Sequence, residues 1–71
     1  MNANEWLEQF AGKLGTDPPT TAEFKAILDL AGEAAHSSER VAAPAAAWVA
    51  AKAGADLDHA IAKAKEVGPG A

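Results

Sequence analysis

Apolar residues recur along this chain at helical spacing, and the pattern stops where glycine, proline or serine interrupts it. Trp6, Leu7, Phe10 and Leu14 share one face of a first segment and read as core. Asn2, with Glu5 three residues on, has the form of a capping arrangement in which each side chain takes a free backbone N–H. Glu5 and Glu8 early and Lys13 late suit the helix dipole. Gly15 is placed to end the segment in a left-handed turn, and Pro18 and Pro19 exclude its continuation. The first predicted helix covers 3–14.

Thr20 and Glu23 repeat the capping box and open a second helix over 21–36. Its buried stripe is expected to be Phe24, Ile27, Leu28 and Ala31, continued by Ala34 and Ala35. Ser37 and Ser38 interrupt it, because serine hydroxyls compete for backbone hydrogen bonds. A third helix is expected over 40–53, with Pro44 in its first turn, where a missing N–H costs little. Ala47, Trp48 and Ala51 share one of its faces, and Gly54 ends it. Asp56 caps a fourth helix over 56–67, with Leu57, Ile61, Ala64 and Val67 turned inward. Strand-favouring residues are scarce and alanine is the best helix former, so the fold class is all-α. Short connections make successive helices neighbours. The expected architecture is a small four-helix bundle, one domain over 1–67 followed by a disordered tail at 68–71.

Composition narrows the core. The 71 residues include 20 alanines against 14 larger apolar residues besides Met1, so there is little bulk to bury. Seventy-one residues lie near the lower size at which one core suffices without staples. The core is therefore expected to rely on both tryptophans, or on a partner subunit. Without cysteine there is no disulfide and no thiolate metal site. A net charge of −4 lacks the basic footprint of a nucleic-acid binder, and anionic membranes repel it. No apolar run reaches the roughly 20 residues of a membrane span, and the start lacks a signal-peptide pattern. A soluble, cytoplasmic protein is expected.

The candidate chemistry centres on His36 and Arg40, the sole arginine. On a continuous helix they share a face with Asp29 and Glu33, which gives a solvated charge ladder. Alternatively, Arg40 offers a planar fork for a phosphate or carboxylate, with free N–H groups of the third helix nearby. A third option has Arg40 or His36 capping the last carbonyls of the second helix. The structural options are preferred, since a ligand site needs convergent polar groups. Glu33 and His36 also spell the Glu-x-x-His of carboxylate-bridged metal bundles, but the other inner faces carry no further ligands, so no metal is expected. Ser37 beside His36 lacks the elbow and oxyanion hole of a nucleophilic site, and no catalytic residue is assigned. His59 reads as a solvated side chain. Trp48 either fills the centre of the bundle or, with Lys52 one turn on, marks a docking face among small residues.

The segment 27–54 resembles a small actinobacterial family of uncharacterised domains. Leu28-Asp29-Leu30-Ala31, Ala35-His36, Arg40, Ala43-Pro44 and the stretch from Trp48 to Gly54 carry the likeness, supported by Trp6-Leu7 and Leu14-Gly15. Ser37 and Val41 stand where family members often have glycine and proline. Members of that family occur alone or fused to proteins resembling the nucleotidyltransferase that attaches GMP to molybdopterin. The resemblance implies an association with molybdenum-cofactor biosynthesis and implies no catalytic residue or cofactor. The expected function is a non-enzymatic helical module binding such a nucleotidyltransferase. The alternatives are a domain holding a pterin phosphate or nucleotide through Arg40 and His36, and a self-associating scaffold, a homodimer for instance.

Overall fold

The computed structural model describes residues 1–69. Four helices follow one another, α1 (Ala3–Leu14), α2 (Thr21–Ser37), α3 (Ala42–Ala53) and α4 (Leu57–Val67), with no strand among the described residues. The chain is an all-α domain, a small four-helix bundle. Of the expected tail, Gly70 and Ala71 lie outside the described residues.

The helix ends are built by the residues that predicted them. Asn2 accepts the Glu5 N–H at 2.8 Å while Glu5 accepts the Asn2 N–H at 3.3 Å. Thr20 and Glu23 exchange the same pair of bonds at 3.1 and 2.8 Å. Asp56 accepts from the His59 N–H at 2.8 Å. Each bond satisfies an amide that the first turn leaves unpaired. Gly15 and Gly54 close α1 and α3 in the left-handed region, at φ 76° and 68°. The third helix begins at Ala42, two residues later than expected, because Glu39, Arg40 and Val41 form a turn. Pro44 still falls within the first turn.

The bundle is organised around α2, which packs against both α3 and α4. Leu30 is its central residue, 3% exposed, and meets Ala50 of α3 and Ala60 of α4. Ala46, Ala55, Leu57, Ile61 and Ala64 surround these three. Alanine at the contacts lets helices approach closely, but it contributes little apolar area. By contrast, α1 touches the remainder sparingly, through buried Ala11 and half-buried Leu7. The molecule is accordingly elongated, 39 × 23 × 18 Å.

Several expected core positions are exposed. Trp6, Phe10 and Leu14 on α1, Leu28 on α2, Trp48 on α3 and Val67 at the end of α4 all face outward. Neither tryptophan fills the centre of the bundle. On α2 the inward direction runs through Leu30, displaced from the Phe24–Leu28 stripe. On α3 it runs through Ala46 and Ala50, leaving Trp48 on the far side.

Candidate functional site

The corner between α2 and α3 is built by Ser38. Its hydroxyl and its backbone N–H both donate to the Ala34 carbonyl, at 2.8 and 3.1 Å. The last turn of α2 is thus capped by a serine, where the sequence had suggested Arg40 or His36. With the helix broken here, His36 and Arg40 no longer share a continuous helical face. Both are exposed. The charge ladder is also cut short, because Asp29 pairs back with Lys25 at 3.1 Å, on an open surface where the ion pair contributes little.

An anion at this corner would need the amides that open α3. The N–H groups of Ala42 and Ala43 already donate to the carbonyls of Glu39 and Arg40, at 2.9 and 3.1 Å, and Pro44 has none. The first turn therefore keeps few donors for a ligand, and the expectation of free amides beside Arg40 is not met. Among the described residues no group of three or more His, Cys, Asp or Glu side chains converges as a metal site would require. An open trough of about 660 Å³ lies where α1, α2 and the start of α4 meet. Leu7, Phe24, Ile27 and Leu57 line it, with the acidic residues Asp17 and Glu23 at its margin, a charge unsuited to phosphate.

Large apolar side chains on two outer faces give the surface its character. On α3, Trp48 is 63% exposed, and the Lys52 ammonium lies 4.9 Å from its ring centre, one turn further along. At an exposed site such a contact is worth roughly 0.5–1 kcal/mol, and it holds the indole in place. Val49 on the same helix and Val41 just before its start are also exposed. On α1, Trp6 is 54% exposed and stacks on Phe10, ring centres 5.0 Å apart and planes at 27°, with Leu14 continuing the line.

The sequence profile of Domain of unknown function (DUF6457) matches residues 1–69, essentially the whole chain. The chain belongs to this family. No curated protein and no solved structure matches it. Membership in DUF6457 brings no reaction, ligand or partner with it, so the chemistry has to be sought on the surface itself. There, Trp48 and Lys52 sit together as one exposed feature, while His36 and Arg40 stand at a separate corner with no polar contact between them. The α1 stripe was misassigned to the core from the sequence. The signal against that assignment is the composition, in which 20 alanines against 14 larger apolar residues leave little bulk to cover so many aromatic groups. Among the described residues no helix is long and apolar enough to cross a membrane.

Proposed function

We propose that this DUF6457 domain is a small, non-enzymatic, cytoplasmic module that binds a partner protein through the outer face of α3. The observation carrying this is the exposure of Trp48 on the side of α3 away from the core, with its ring held by Lys52. A pre-positioned indole loses little conformational freedom on binding, and tryptophans surrounded by small residues act as anchors at protein interfaces. Ala45 and Val49 beside it are small or apolar, and Lys52 is the one charged side chain at the ring.

The partner we favour is a nucleotidyltransferase that attaches GMP to molybdopterin, on the strength of the sequence resemblance set out above. Isothermal titration of that enzyme with the domain tests the pair. Micromolar binding is expected, and Trp48→Ala should weaken it at least tenfold, about 1.4 kcal/mol, with the helical content unchanged. Binding that is absent at micromolar concentration removes this partner. Binding that ignores Trp48→Ala removes this face.

A further inference from the structure

The exposed stripe on α1 asks for a different occupant. Trp6, Phe10 and Leu14 stand one turn apart and lie within about 40° of Phe10 around the helix. The line that α1 presents to the bundle, Leu7 to Ala11, lies beside the stripe, about 60° and 100° around the helix from Phe10, with Leu14 as its nearest neighbour. A 12-residue helix is marginal by itself in water, and this one is held by buried Ala11 and half-buried Leu7. Its stripe is the packing it lacks.

We infer that two copies of the chain pair through α1, antiparallel, about a two-fold axis passing by Phe10. The spacing of the stripe supports a second copy as the occupant. A two-fold interface must be complementary to itself. Trp6 and Leu14 lie four residues to either side of Phe10, so an antiparallel pair sets Trp6 of each copy against Leu14 of the other and the two Phe10 rings together.

Charge permits the pairing. Each copy carries −4, so self-association has to keep carboxylates apart. On α1 Glu5 and Glu8 lie about 140° and 160° around the helix from Phe10, and the charge bordering the stripe is Lys13.

Area points the same way. A compact monomer of this mass exposes about 4,100 Å², whereas the chain exposes 5426 Å², an excess of about 1,300 Å². A standard interface takes about 800 Å² from each partner. One such interface fits within the excess, with surface left for α3. The dimer goes beyond the partner proposal, uses a different helix, and stands or falls separately from it.

Sedimentation equilibrium of the full chain between micromolar and submillimolar concentration tests the dimer. The expected mass rises toward twice 7.2 kDa. Phe10→Glu should raise the dimer Kd more than tenfold with an unchanged far-ultraviolet circular dichroism spectrum, whereas Trp48→Glu should leave it within twofold. A mass that stays at one chain throughout overturns the inference, as does a dimer that survives Phe10→Glu or is broken by Trp48→Glu. Should Phe10→Glu lose helix content, Trp48→Phe leaves Trp6 as the sole indole reporter. Its emission must then shift to the blue as concentration rises, and a constant emission overturns the pairing.

Discussion

Gly54 and Gly32 show how the same residue serves opposite ends in one small fold. Gly54 closes α3 at φ 68°, and its N–H donates to the carbonyls of Ala50 and Ala51. A side chain placed there meets no atom within 4 Å, so the cost of Gly54→Ala is purely conformational. The left-handed region penalises a Cβ by roughly 1–2 kcal/mol. Gly32 lies within α2, away from any positive φ, and a Cβ built there also meets nothing within 4 Å. Replacing it with alanine removes freedom from the unfolded chain and should stabilise the protein by about 0.4–1 kcal/mol. Thermal unfolding should therefore move in opposite directions for the two variants, by several degrees in each case for a domain of this size. A fall in Tm with Gly32→Ala would show that α2 uses this glycine for something the packing does not reveal.

At the scale of the helices, α1 should be the least protected element. It is capped at both ends, by Asn2 and by Gly15, but its packing rests on Leu7 and Ala11, whereas α2 is covered on two sides. Local opening costs least where few apolar contacts are broken. In the Phe10→Glu variant, hydrogen exchange of the α1 amides should run at least tenfold faster than that of the α2 amides around Leu30. Equal protection of the two helices would refute the ranking. The helices themselves were legible in the sequence because their signals are local. Asn2-Glu5, Thr20-Glu23 and Asp56 fix where they start, and Gly15 and Gly54 fix where two of them stop. Their orientation was not legible, for a physical reason. Alanine occupies nearly every side of α3, so no apolar contrast marks the inward side, and the sequence leaves Trp48 open between the bundle centre and a docking face. On α2 the apolar arc is broad enough to include both Leu28 and Leu30, and only the positions of α3 and α4 choose Leu30. The corner at Ser38 was legible as a break. Its consequence, the loss of α3's opening amides to Glu39 and Arg40, depends on turn geometry that spacing alone does not give.

For the molecule as a whole, the quantity that decides behaviour is the surface left open. A chain of 7.2 kDa offers about 10,400 Å² when extended, and this fold leaves 5426 Å² exposed, so it buries about half. Domains of around 60 residues ordinarily bury about 60%. With Leu30 as the one large buried side chain among the described residues, the monomer has a narrow margin over the entropy of ordering. Anything that binds the folded chain and not the unfolded one then adds a visible share of the stability. If the addition comes from a second copy, stability must grow with protein concentration. For two chains of this length the unfolding enthalpy is on the order of 100 kcal/mol, which gives a rise in Tm of about 5 °C for each tenfold increase in concentration. Phe10→Glu should flatten that slope to zero and lower Tm toward the value of the dilute wild type, while Trp48→Glu should preserve the slope. Scanning calorimetry over two decades of concentration distinguishes these outcomes. A concentration-independent Tm in the wild type would mean that the thin alanine core around Leu30 sustains the fold unaided, and that the α1 stripe is left open without a second copy to cover it.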